Sequence, residues 1–352
     1  MSRLSLFLLL GLACAQAVPL ALYDDIDDTE VIELPENGID EPAPSKDIID
    51  LSSYGSALYG EPDLDLTASL VGNFSADTDT VNPEELGSYL EGDILIPKTA
   101  ISMKNGLTTQ SSRWPNGVVP YEIRGSFNAR DMATIQGAID QYHKRTCIRF
   151  VPRSSERDYI SIVSSSSGCW SSVGRVGGKQ EVNLQSPGCL SRPGTAIHEL
   201  MHALGFLHEQ NRMERDSFVA IQYRNIQSSA MTNFEKAAST EAFGVPYDYG
   251  SVMHYSANAF STNGQPTIVA MSPEGSSKMG QRTGFSDFDV EKLNRMYDCG
   301  YVGGSAPAAG GGAAAPGAAA GGNPIVESFL SGLISGLGLG DGEDEKATAA
   351  SN

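Results

Sequence analysis

The sequence predicts an α+β domain over residues 105–299, and three observations predict it. Charge comes first: residues 105–299 carry 18 acidic and 19 basic side chains, against 20 and 3 in residues 19–104 and 5 and 1 in residues 300–352. A folded core belongs in the near-neutral block, with acidic appendages on either side. The second is a series of short β-branched runs broken by Ser, Gly and Arg. The third is apolar spacing at helical period in three further stretches of the same block, so strands and helices share one domain.

Taken in order, the chain opens with Arg3, an apolar run from Leu4 to Ala15 and the small-residue pattern Ala15-Gln16-Ala17. That is a secretory signal peptide over residues 1–17; its apolar run falls short of the roughly 20 residues a membrane span needs. Residues 18–59 are acidic and lack apolar periodicity, so they are expected to be mostly unstructured. Asn73-Phe74-Ser75 is a glycosylation sequon. Asn82-Pro83-Glu84-Glu85 joins a cap residue, Pro at the first helical position and early acids, a helix start leading to Tyr89–Ile94.

Within the middle block, Gly117–Arg124, Ile148–Val151, Tyr159–Val163 and Glu181–Leu184 read as strands. Met132, Ile135, Ile139 and Tyr142 recur at spacings of three and four and define a helix capped by Asn128 and Asp131. A second helix covers Thr195–Leu204 and stops at Gly205, and a third starts at Ser286 with Asp289 three later and ends near Cys299. Beyond Cys299 the composition turns to Gly, Ala and Pro, a low-complexity tail over residues 301–352. Phe329, Leu330, Leu333, Ile334 and Leu337 keep helical spacing there, but the interleaved glycines weaken that helix.

A net charge of −19 excludes phosphate-backbone neutralisation, so nucleic acid is not a partner, and no segment is built for stable membrane insertion. Once Cys14 leaves with the signal peptide, Cys147, Cys169, Cys189 and Cys299 remain, an even set in an oxidising compartment. Four cysteines allow three pairings. Cys169 and Cys189 are close enough to clip a local loop, and a Cys147–Cys299 bridge would tie the ends of the block together.

Chemistry concentrates in His198-Glu199-Leu200-Met201-His202, followed by Gly205 and His208. Residues four apart share a helix face, so His198 and His202 can hold one metal ion, and Glu199 beside them can reach a metal-bound water. Gly205 ends the helix and lets the chain return with His208 as a third ligand. The expected frequency of such a His-Glu-x-x-His match in a chain of this composition is roughly 0.4%, before Gly205 and His208 are required. Three imidazoles and an open position mark catalytic rather than structural zinc.

These residues, with Ser251-Val252-Met253-His254-Tyr255, Thr146-Cys147, Gly168-Cys169-Trp170 and Pro187-Gly188-Cys189, resemble the astacin family of zinc metalloendopeptidases within the metzincins. The resemblance implies two subdomains about a cleft: a twisted mixed sheet with the active-site helix above, and an irregular lower part closed by a C-terminal helix. It implies one Zn2+ held by His198, His202 and His208, with Glu199 as general base on a zinc-bound water. Met253 is then the turn residue beneath the metal and Tyr255 a hydrogen-bond donor to the oxyanion. The implied disulfides are Cys147–Cys299 and Cys169–Cys189. Trp170, Ser171 and Val173 belong to an edge strand that takes protein or peptide substrates as an added antiparallel strand.

In the same family a leader ending in Gly-Asp crosses the cleft backwards and its aspartate ligates zinc; here Asp93 follows Gly92. The expected organisation is a signal peptide (1–17), an inhibitory propeptide (18–104), a catalytic domain (105–300) and the tail (301–352). Cutting near Lys104, by an activating protease or by self-cleavage, makes Asn105 the new terminus, which Glu209 meets. The protein is thus expected to be a secreted, extracellular zymogen, glycosylated at Asn73. The alternative is a catalytically silent extracellular zinc-containing binding or matrix protein, against which the intact Glu199 and Tyr255 argue.

Overall fold

The computed structural model describes residues 49–96, 108–109, 113–237 and 242–300. The chain divides after Val302 into two units, the second lying outside the described residues. The signal peptide, Lys104, Asn105 and the Gly/Ala tail also lie outside them.

A five-stranded sheet forms the upper part of the domain. Its strands are β1 (Val118–Ile123), β2 (Arg149–Pro152), β3 (Tyr159–Val163), β4 (Cys169–Ser171) and β5 (Lys179–Leu184). The order is β2-β1-β3-β5-β4, parallel except for β4, which pairs antiparallel with β5. Ile160 and Ile162 on β3 and Val182 and Leu184 on β5 are fully buried and alternate along their strands, so one face of the sheet carries the core. The sheet is mixed as expected, with β4 at one edge and β2 at the other.

Two helices join the sheet in one core. Helix α2 (Ala129–Arg145) begins with the capping box expected of Asn128 and Asp131, and buries Ile135, Ala138, Ile139 and Tyr142. Helix α3 (Pro193–Ala203) buries every residue from Gly194 to Ala203 and so runs through the centre of the domain. A buried helix end needs partners for its last carbonyls. Trp114 Nε1 donates to Ala203 O at 2.9 Å and the Tyr297 hydroxyl to Leu204 O at 2.9 Å. Gly205 then adopts φ of +112°, the turn expected of it.

The lower part is mostly irregular, with a second core about Ile226, Phe234, Tyr247, Tyr255 and Phe260. It holds an antiparallel strand pair that the sequence reading missed, β6 (Val219–Ile221) against β7 (Ile268–Ala270). Helix α4 (Asp287–Met296) closes it, with Ser286 and Asp289 forming the expected capping box. Both disulfides pair as the resemblance implied, Cys147 with Cys299 and Cys169 with Cys189.

The leader departs from expectation. Residues 52–59, read as unstructured, form a 3-10 segment, and Leu64–Gly72 forms a helix, α1. Low internal periodicity was the wrong guide, because the partners are remote: Leu51, Tyr54 and Leu58 are buried with Leu90, Ile94 and Val173. Full burial of one large apolar side chain stabilises by about 1.5–3 kcal/mol, so each of these three residues offsets part of the cost of ordering the segment. The Asn82 start signal does form its capping box, over the 3-10 turn Pro83–Leu86. Asn73 is exposed at the end of α1.

Candidate active site

Helix α3 presents His198 and His202 one turn apart, and the chain leaving Gly205 brings His208 alongside. The His198 Nδ1–H donates to Val252 O at 2.7 Å and the His202 Nδ1–H to Phe206 O at 2.7 Å. Donation through Nδ1 leaves each Nε2 as an acceptor. Those acceptors converge: Nε2 of His198 is 3.1 Å from that of His202 and 3.2 Å from that of His208. Acceptors this close repel one another unless a cation lies among them.

Asp93 from the leader supplies a fourth corner. Its carboxylate is 3.0 Å from His198 Nε2, 3.4 Å from His202 Nε2 and 3.3 Å from His208 Nε2, and all four groups are buried. Ligands at zinc bond lengths of about 2.0–2.1 Å on a tetrahedron stand about 3.3–3.4 Å apart. The set therefore fits zinc. Burial pushes the Asp93 carboxyl up, but the imidazoles of His208 and His202 outweigh it and hold the carboxyl well below its ordinary range.

Glu199 is fully buried, and neither of its carboxylate oxygens has a hydrogen-bond partner among the described residues. An orphaned buried carboxylate is costly and marks a group kept for chemistry. Burial, and next the Asp93 charge, push its carboxyl well above the usual glutamate range.

The turn at Ser251–Tyr255 is tied to this set through its backbone. Besides Val252 O holding His198, Met253 O accepts from Glu209 N at 3.1 Å, and Gln210 Oε1 accepts from Tyr255 N at 3.0 Å. Asp289, third residue of α4 and partner of Ser286 in its capping box, holds the turn by accepting from the Ser251 hydroxyl and Val252 N at 2.5 and 2.8 Å. Met253 is buried in the main core. The Tyr255 hydroxyl donates to Glu91 O at 2.5 Å, so the leader occupies it.

The edge strand is occupied too. Ser171 N donates to Asp93 O and Leu95 N donates to Ser171 O, both at 2.9 Å, with Ile94 and Ser171 bridged in the parallel sense. Trp170 lies against Tyr89 at 5.8 Å between ring centroids, and Val173 lies with the leader's Leu90 and Ile94. Gly92 makes the turn at φ of +89°, and a Cβ there would stand 2.7 Å from Phe260 Cζ. Only glycine passes at that point.

Glu209 accepts from Lys292 Nζ at 2.7 Å, from Arg212 Nη1 at 2.7 Å and from Asp248 N at 2.9 Å. Asn105, its expected partner, is outside the described residues. Sequence reasoning missed Lys292, although a lysine on the inner side of α4 was itself a signal. It also missed four leader and cleft residues. Glu84 pairs with Arg282 with both side chains fully buried, and it accepts from Thr195 Oγ1 at 3.1 Å. Glu85 accepts from Ser256 N and Oγ at 2.6 Å each. Glu91 accepts from His208.

The buried set of three imidazoles and a carboxylate, with an orphaned glutamate beside it, is a donor set built for one zinc ion. The family model of astacin, a peptidase family, matches residues 106–298. The chain belongs to the astacin family. Zinc metalloproteinase nas-8 of Steinernema carpocapsae is 47% identical over 199 residues, which are 56% of this chain and 47% of that protein. The low choriolytic enzyme of Oryzias latipes is 40% identical over 224 residues, covering 62% of this chain and 81% of the other. Among solved structures, the Oryzias latipes hatching enzyme zinc-protease, high choriolytic enzyme 1, matches with a TM-score of 0.50 at 43% identity, over 54% of this chain and 94% of its own. The chain spans about half the length of the nas-8 relative. No helix among the described residues is long and apolar enough to cross a membrane.

Proposed function

We propose that this chain is a secreted zinc endopeptidase made as a zymogen, hydrolysing internal peptide bonds of proteins once its leader is cut away. The observation that carries the reading is the orphaned Glu199 carboxylate beside three convergent imidazoles, with a leader aspartate at the fourth corner. His198, His202 and His208 would hold the zinc, which supplies Lewis-acid polarisation of the scissile carbonyl and lowers the pKa of water. Glu199 takes the proton from the attacking water and passes it to the leaving amine. The Tyr255 hydroxyl, released from Glu91 O, donates to the developing oxyanion. The outward N–H and C=O of Ser171, released from Asp93 and Leu95, align the substrate backbone as an added strand with little demand on side chains.

Asp93 supports latency directly, since a carboxylate at the fourth corner leaves no place for a nucleophile. Cleavage near Lys104 and Asn105 removes it. The test is cleavage of a denatured protein by the chain cut near Asn105. It is run beside uncut chain, a chelated sample restored with zinc, and Glu199→Ala. Turnover only by cut, zinc-loaded, unmutated protein supports the reading. Stoichiometric zinc binding with no turnover in any form overturns it in favour of the binding-protein alternative.

A further inference from the structure

The leader does more at the metal centre than supply Asp93. Glu91, two residues earlier, is fully buried, and its carboxylate accepts from the Nδ1–H of His208 through one oxygen and from the Tyr54 hydroxyl through the other. Its carbonyl accepts from the Tyr255 hydroxyl at 2.5 Å. His198 and His202 draw the corresponding Nδ1 partner from backbone carbonyls of the catalytic domain; His208 draws its partner from the leader.

The backbone at Glu91 sharpens the point. Its φ is +50°, in the left-handed region where glycine or asparagine sits at less cost than glutamate. A glutamate kept in a strained conformation and stripped of water must be held by what its side chain binds. Tyr54 is itself buried, on the 3-10 segment that seats Leu51 and Leu58, so it fixes one carboxylate oxygen and leaves the other aimed at His208.

We propose that Glu91, braced by Tyr54, is a second latch of the latent form: it orients the third zinc ligand His208 while its carbonyl holds Tyr255 out of use. Glu91 is a positioning residue, acting through His208 and not on any substrate. One consequence is that the leader tightens metal binding in the uncut protein and withdraws that support on removal. The proposal rests on reading residues 49–96 as an inhibitory leader.

The test compares zinc affinity, by competition with a chelator of known strength, in the full-length uncut protein and in Glu91→Gln, Glu91→Gly and Tyr54→Phe. Gln offers a single oxygen to two donors, Gly suits the backbone and removes the carboxylate, and Phe deletes the brace while keeping its ring. Loss of a hydrogen-bond partner to a ligating histidine typically weakens metal binding about 10–100-fold, which is expected for both Glu91 variants, with a several-fold loss for Tyr54→Phe. The visible spectrum of the cobalt-substituted uncut protein should shift in the Glu91 variants, a signature that mere packing would leave unmoved.

Affinities within about twofold of wild type and superimposable cobalt spectra overturn the latch. After the leader is removed every variant yields the same catalytic domain, so a difference that persists there points to misfolding and also overturns it. Failure of the wild-type uncut protein to bind zinc sinks the underlying reading instead.

Discussion

Glu84→Gln in the uncut chain isolates the buried Glu84–Arg282 ion pair between the leader and the domain it covers. Arg282 has no exposed side-chain surface; its Nη1 donates to His254 O and Gln281 O at 3.1 and 2.8 Å, and its Nη2 has no partner among the described residues. Neutralising Glu84 leaves that guanidinium buried without its direct counter-charge. Breaking one side of a buried pair costs about 3–5 kcal/mol. The lower end applies, because the neighbouring Glu85 carboxylate also feels Arg282. A loss of about 3 kcal/mol is a factor of about 150 in the docking equilibrium of the leader.

Hydrogen exchange of amides 82–96 in the uncut protein reads that factor directly, and the rate of proteolytic activation reads it again. Replacing the pair together, Glu84→Leu with Arg282→Met, should cost much less than Glu84→Gln alone, since an apolar replacement of a buried pair is close to neutral. The pH dependence has a definite sign. Burial pushes the Glu84 carboxyl up, but Arg282 and then His198 outweigh this and leave it lowered. A lowered value means that the wild-type advantage over Glu84→Gln is complete above the ordinary glutamate pKa, about 4.3, and disappears as pH falls through the lowered value. Exchange rates for residues 82–96 within about threefold of wild type at neutral pH would refute the reasoning.

Three further outcomes are expected. Glu199→Gln should lower kcat by at least 10²–10⁴-fold while metal analysis still finds the wild-type zinc content, because the Glu199 carboxylate makes no hydrogen bond to the ligands or to their Nδ1 partners. Tyr255→Phe in the cut enzyme should cost about 3 kcal/mol of barrier, mostly in kcat, and steady-state kinetics that show a change only in KM would count against its role. For the disulfides, loops of 152 and 20 residues imply unequal losses on removal. Chain-entropy reasoning gives about 5 kcal/mol for Cys147–Cys299 and about 3 kcal/mol for Cys169–Cys189, so denaturant unfolding of the paired Cys→Ser variants should rank in that order.

The sequence made the catalytic side of the cleft legible because its ligands are local. His198, Glu199 and His202 sit on one helix, Gly205 announces the turn, and the caps at Asn128 and Ser286 state their own positions. The leader's side of the cleft was illegible for the opposite reason. Glu84 and Arg282 are 198 residues apart, and Tyr54 and Glu91 meet only because both are carried to the same place by the docked backbone. An acid that faces solvent and one that will be buried against a remote arginine look alike in a chain with 43 acidic residues. The pairing of β6 with β7 failed to register for a related reason: the strands are remote in sequence and each is three residues long, too short for alternation to show.

The parallel bridge between Ile94 and Ser171 also bears on how the proposed latent form would be activated. A chain lying along this edge in the same sense as β4 presents its carbonyls in the reverse order from one added antiparallel, so the segment filling the cleft is not presented for attack by that cleft. While it is there, no other segment of the same molecule reaches Glu199 either. On the proposed zymogen reading, the first cut comes from an activating protease or from a copy whose leader has left its cleft, so conversion of a pure preparation should show a lag and then accelerate as freed copies accumulate.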